Sequence, residues 1–299
     1  MNLKLIKKIC RLEKDELKQI LSKYLRSKGY KYIIENEMYI MAEGELPICL
    51  IAHMDTVFRY LPQEFFYDNE QKVLWSPGGA GFDDRAGIYA IISILDIGYK
   101  PSIILTDKEE FGCIGAKDLI KHYPYCYFQD CRALIQLDRS NREDCVFYNC
   151  NNHAFTNYIQ QFGFQLNSGS FSDISVIAPA WGIAAVNLSI GYEDEHSESE
   201  RLHCDWCDLT IKRTKQILEK SKEMKSYTYI PRNYSNQVFN ENEIDPAEED
   251  WIGNSYMNIC AMCGMPLSNC NDGQTITNSN TIYKLCDSCF SYYVNHYID

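Results

Sequence analysis

Five short segments of this 299-residue chain place histidine or carboxylate side chains directly after apolar runs. In Ile51-Ala52-His53-Met54-Asp55, His53 can meet a metal ion as the chain leaves a strand. Asp55 can then accept the other imidazole N–H and set its tautomer. Gly81-Phe82-Asp83-Asp84-Arg85-Ala86-Gly87 puts two carboxylates between a glycine-rich loop and a helix, where an aspartate can bind a metal or cap the helix. Thr106-Asp107-Lys108-Glu109-Glu110-Phe111-Gly112 carries adjacent glutamates, which point in different directions, so one can ligate while its neighbour handles a water. Leu137-Asp138 and the stretch Tyr192-Glu193-Asp194-Glu195-His196-Ser197-Glu198 complete the set. Each segment alone is weak, since a strand-end aspartate often only caps a helix and a lone histidine is more often a core or surface residue. Together they supply the nitrogen and oxygen donors from which metal-assisted hydrolysis is built.

Such donors must be carried by a scaffold, and the hydrophobic pattern indicates which. Apolar residues at helical spacing from Leu3 to Leu25, with Gly29 as a stop, predict one or two amphipathic helices. Strands are expected over 30–35, 38–42 and 47–52, the last almost wholly apolar, as suits a central strand covered on both faces. A polar hairpin is expected over 64–67 and 72–75. Helices at 86–95, 116–122, 153–162 and 206–224 then alternate with strands at 102–106, 133–137, 146–149 and 184–190. That alternation predicts an α/β fold with a mostly parallel central sheet flanked by helices. In such sheets ligands bind outside the carboxyl ends of the strands, where the five segments fall.

The order H-x-D, D-D-R-x-G, E-E-x-G-x-x-G-A, L-D and a late histidine resembles the co-catalytic zinc peptidases, a clan that includes peptidase T and the glutamyl and leucyl aminopeptidases. Glu109-Glu110-Phe111-Gly112-Cys113-Ile114-Gly115-Ala116 is similar to the clan's glutamate motif, and the segment around Asp83 to its bridging-aspartate motif. The resemblance covers roughly residues 45 to 220. It implies that Asp83 bridges two Zn²⁺ ions, with Co²⁺ or Mn²⁺ as alternatives. His53 and Asp138 then complete one site, Glu110 and His196 the other. Glu109 is implied as general base, with Asp55 behind His53. A peptide or small amide is the implied substrate, with an N-acyl amino-acid deacylase or a catalytically silent binding protein as alternative readings. The 30 positions from His53 to Asp83 and the 58 from Asp138 to His196 leave no room for an inserted lid domain. The layout resembles a minimal catalytic core, similar to that of the single-domain aminopeptidases. Asn151, Asn152 and the 170–173 loop read either as pocket lining or as turn and cap residues.

The domain reading is a catalytic region over 1–230, an acidic linker over 231–253 and a separate tail over 254–299. Between Asn233 and Asp250 the linker holds six acids, all from Glu241 onward, and no Lys or Arg. In the tail, Cys260, Cys263, Cys286 and Cys289 form two C-x-x-C pairs, the pattern of a closed, structural Cys₄ zinc ribbon. Its one basic residue, Lys284, stands against Asp272, Asp287 and Asp299, which excludes a phosphate footprint and favours a protein partner or self-association. Net charge −12 argues against nucleic acid and anionic membranes in general. No apolar run approaches a membrane span, and the N-terminus lacks a signal-peptide pattern. Fourteen cysteines therefore read as reduced thiols and metal ligands in a cytoplasmic protein, with Cys204 and Cys207 as buried thiols.

Overall fold

In a computed structural model, residues 1–232 are described in full and 274–278 and 281–285 as backbone. The linker from 233 and the four tail cysteines lie outside the described residues. In chain order the elements are α1 (Leu3–Cys10), α2 (Lys14–Ser27), β1 (Ile33–Glu35), β2 (Tyr39–Ala42), β3 (Leu46–His53), β4 (Phe66–Asp68), β5 (Val73–Trp75), α3 (Phe82–Asp96), β6 (Pro101–Thr106) and α4 (Ile114–His122). There follow β7 (Ala133–Arg139), β8 (Asp144–Val146), α5 (His153–Gln160), β9 (Gln165–Leu166), α6 (Asp173–Trp181), β10 (Ala185–Ser189), β11 (Tyr192–Glu193), β12 (Arg201–His203) and α7 (Cys204–Lys220). The chain divides into two compact units, 1–232 and 233–299. In the second, β13 (Gln274–Asn278) and β14 (Thr281–Leu285) pair antiparallel, and in sequence they fall between the two C-x-x-C pairs. Among the described residues no helix is long and apolar enough to cross a membrane.

The first unit is a mixed α/β fold around an eight-stranded sheet of order β1-β2-β6-β3-β7-β10-β8-β9. Its inner strands β6, β3, β7 and β10 are parallel, whereas β2 joins β6, and β8 joins β10, antiparallel. The apolar run of β3 is buried from Pro47 to His53, as a central strand covered on both faces requires. Helix α3 packs on β3 and β7, while α4 and α6 contact each other on the opposite layer with Leu134, Ile104 and Ile51. Gly87 lets α3 approach closely: a Cβ there would lie 2.2 Å from the Leu137 carbonyl oxygen and 2.4 Å from Asp84 Oδ1.

Two features escaped the sequence pattern. Helix α6 contains Pro179 and little helical periodicity, yet Ile174, Ile177, Ala178 and Trp181 are buried against the sheet, so packing overrides propensity. A second sheet, β11-β12-β5-β4, extends the expected hairpin with strands of two and three residues, too short to leave a period.

Candidate metal centre

The carboxyl ends of the four inner parallel strands converge. His53 ends β3, Glu109 and Glu110 follow β6, Asp138 lies at the end of β7, and His196 comes after β10 and β11. Asp83 approaches from the start of α3, through a cis peptide bond to Asp84. His53 Nε2 lies 3.1 Å from Asp83 Oδ1 and 3.4 Å from Asp138 Oδ1. His196 Nε2 lies 3.2 Å from Asp83 Oδ2 and 2.9 Å from Glu110 Oε2. Two donor groups result, His53–Asp83–Asp138 and Asp83–Glu110–His196, and within each the donor atoms lie within 4.8 Å of one another. Asp83 belongs to both and turns one oxygen toward each. The His196 side chain is 38% exposed while the other four are at most 10% exposed, so the centre opens on the His196 side.

The surrounding hydrogen bonds set these orientations. His53 Nδ1 faces Asp55 Oδ1 at 3.3 Å, and the same carboxylate accepts the backbone N–H groups of Glu109 and Glu110 at 3.1 and 3.2 Å. Asp55 thus ties the first histidine to the glutamate loop, a link that spacing alone does not reveal. Asp138 accepts from Gln136 Nε2 at 2.9 Å, Tyr192 Oη at 3.2 Å and Ser172 Oγ at 3.3 Å. The Asn187 amide brackets the Asp138 backbone through its N–H and C=O. Gln136 and Asn187 did leave a signal: each is a polar residue inside an otherwise apolar strand. Glu200 left none. It is buried and accepts the backbone N–H groups of Ala80, Gly81 and Asp83, shaping the loop that presents Asp83. Asn152 and Ser172 are helix N-caps, and Ser172 also reaches Asp138. Asp173 is buried behind the centre and accepts from Thr106 Oγ1.

Asp84, for which the sequence leaves capping of the helix as one option, does more than that. Its Oδ1 caps Gly87 N–H at 2.8 Å, and its Oδ2 accepts the His53 backbone N–H at 3.2 Å. Asp84→Ala should leave two buried N–H groups unpaired, at about 1–3 kcal/mol each. The expected result is a melting midpoint roughly 5–15 °C lower, read by differential scanning calorimetry. A midpoint within a degree of wild type would show that neither bond matters.

The donor set fits divalent cations. It offers imidazole nitrogen and carboxylate oxygen, the ligands that suit zinc and its near relatives. Buried acids outnumber the histidines, Glu110 Oε1 is buried without a partner, and uncompensated buried charge is costly. The proton affinities reflect the same crowding. Burial pushes Asp138 up to about 6, and burial with Asp83 alongside pushes Glu110 up to about 7. Burial disfavours charge on His196, but the Asp83 and Glu110 carboxylates outweigh it and push the imidazole up to about 11. His53 is likewise raised well above its ordinary value: burial opposes this, and Asp138 and Asp55 overcome it. The surrounding carboxylates thus favour the protonated form of both imidazoles in the metal-free centre, and a ring that carries the extra proton must lose it to ligate. Zinc binding at pH 7.5 should release at least one proton, that of His196, and tighten as pH rises. Calorimetry in buffers of differing ionisation enthalpy reads this number, and zero protons released would remove His196 from the ligand set.

No protein-family model and no curated protein matches the chain. Solved structures do. The aminopeptidase PepT from Bacillus cereus superposes with TM-score 0.63 at 14% identity, covering 74% of this chain and 98% of that one. A tripeptidase from Staphylococcus aureus gives 0.60 at 15%, covering 74% and 98%. A TET aminopeptidase from a marine-sediment Thaumarchaeota archaeon gives 0.57 at 13%, covering 73% and 96%. This chain shares their fold. Another neighbour, PhTET1-12s, solved as a dodecamer, gives 0.56 at 16% identity, covering 73% of this chain and 99% of that one.

Proposed function

We propose that the chain is a hydrolase of peptide (amide) bonds, aminopeptidase-like, working with two zinc ions. The observation that carries this reading is the division of the Asp83 carboxylate, Oδ1 toward His53 and Oδ2 toward His196. His53, Asp138 and Asp83 would hold one ion, and Glu110, His196 and Asp83 the other. Bound there, the ions supply Lewis acidity and lower the pKa of a water toward about 7. Glu109 takes the proton of the attacking water and returns it to the leaving amine. Burial first, and then the neighbouring carboxylates, raise its proton affinity well above the ordinary range, which suits a base that must also act as an acid. Asp55 holds the His53 ring, and Gln136 and Tyr192 hold Asp138, so the ligands keep their geometry through the reaction. The fold shared with a tripeptidase and several aminopeptidases supports the same reading. The tail is proposed as a Cys₄ zinc ribbon, on Cys260, Cys263, Cys286 and Cys289, that mediates protein contact or self-association in the cytoplasm.

Elemental analysis of the purified protein, run beside a panel of peptides and acyl amides, tests the scheme. About three zinc ions per chain are expected, and mild chelation should remove the catalytic pair first, because open sites exchange more readily than a closed Cys₄ site. One metal ion with full activity would sink the two-metal mechanism.

A further inference from the structure

Arg139 follows Asp138 directly on β7. Successive side chains on a regular strand point to opposite faces, but the pairing of β10 with β7 shifts here. Asn187 faces Gln136 and Ser189 faces Arg139, leaving one residue of β10 against two of β7. Such a bulge re-aims a side chain and is common beside active sites. The re-aimed guanidinium runs toward the loop before α6: Nη1 lies 3.7 Å from where a Cβ on Gly169 would sit, and Tyr148 Cε1 lies 3.3 Å from the same point. Tyr148 Oη in turn accepts from Asn187, and Ser172, three residues after Gly169, contacts Asp138. Arg139 therefore borders the same layer of polar groups that holds the metal ligand.

Its guanidinium is unmatched. Among the described residues, the other arginines that are buried or half-buried each have a polar partner: Arg85 the Ile9 carbonyl, Arg132 Asp130, and Arg213 Glu143. Arg139 is half-buried, its Nε is buried without a partner, and no described acid pairs with it in a chain of net charge −12. A guanidinium with a buried, unpartnered Nε has donor capacity to spare, and its planar fork matches a carboxylate. Asp138 and Arg139 are neighbours at the same strand end, their Cα atoms about 3.8 Å apart, so a group bound beside the Asp138 carboxylate would lie next to the segment that carries the Arg139 fork.

We infer that Arg139 anchors a free α-carboxylate carried by the amino acid that leaves on the amine side of the cleaved bond. The substrate class is then a dipeptide or an N-acyl amino acid rather than a long or C-terminally blocked peptide. This inference rests on the hydrolase reading above, and a binding measurement separates the two.

The test measures equilibrium binding to Glu109→Gln protein loaded with zinc, using a dipeptide and an N-acetyl amino acid, each paired with its own C-terminal amide. The acids are expected to bind about tenfold or more tightly than their amides, as fits loss of one charge-assisted pair. Adding Arg139→Gln should bring the ratio toward one, and Arg139→Lys should leave an intermediate preference, with zinc content measured on each sample. Equal binding of acid and amide, or a ratio unchanged by Arg139→Gln, overturns the inference. If the acid preference holds but the zinc-loaded wild type cleaves none of the four compounds, the carboxylate site stands and the hydrolase reading falls. Which acid binds better distinguishes a dipeptidase from a deacylase.

Discussion

Asp83→Ala should empty both metal sites at once and lower hydrolysis by at least about 10³-fold, as expected for a member of a cooperative unit. No other side chain belongs to both donor groups. Without it, among the described residues His53 keeps only Asp138 within ion-pair distance at the ring Nε2, and His196 keeps only Glu110. The loop itself should survive, because Glu200 holds it through the Asp83 backbone N–H rather than the carboxylate. That separates the loss from unfolding: zinc content and turnover should collapse while the thermal transition of the metal-free protein remains cooperative. Zinc in the tail provides an internal standard, since the proposed cysteine ligands do not depend on Asp83. Two catalytic metals retained at normal affinity in Asp83→Ala would disprove the bridge.

The second large effect separates the adjacent glutamates. Glu109→Gln keeps shape and one acceptor but cannot take a proton, so it should retain both metals and lose roughly two to four orders of magnitude in kcat. Glu110→Gln should instead weaken the ion shared with His196, and added zinc should partly restore its turnover. The geometry distinguishes the two side chains. Glu110 Oε2 lies 2.9 Å from the His196 ring, whereas the Glu109 carboxylate accepts from the Cys113 thiol, 3.5 Å from Oε1. Metal content and kcat must be measured together on both variants. Metal loss in Glu109→Gln with retention in Glu110→Gln would reverse the assignment.

Much of the scaffold was legible because burial imposes simple patterns on a sequence. The run over 47–52 suited a covered central strand, and the alternation of helices and strands from 86 onward implied an α/β fold with a mostly parallel central sheet. The antiparallel margins were not legible, since strand direction depends on connections across the sheet rather than on local periodicity. Two- and three-residue strands such as β11 and β12, and the proline-containing α6, are stabilised by what they pack against, so their own residues announce little.

The chemistry divides along the same line. Residue types and their order marked the candidates His53, Asp55, Asp83, Glu109, Glu110, Asp138 and His196, with Asp83 set after a glycine-rich loop rather than an apolar run. Only tertiary structure decided how they are held, because the partners are far apart along the chain. Glu200 reaches back across more than a hundred residues to shape the Asp83 loop, and Asn187 brackets Asp138 from a neighbouring strand. Asp84 turned from a local cap into the support of His53, and a one-residue bulge aimed Arg139 toward the Gly169 loop. Local sequence can encode a strand end and the donor placed on it. The direction in which that donor faces is set by contacts between distant segments, and those exist only once the sheet has closed.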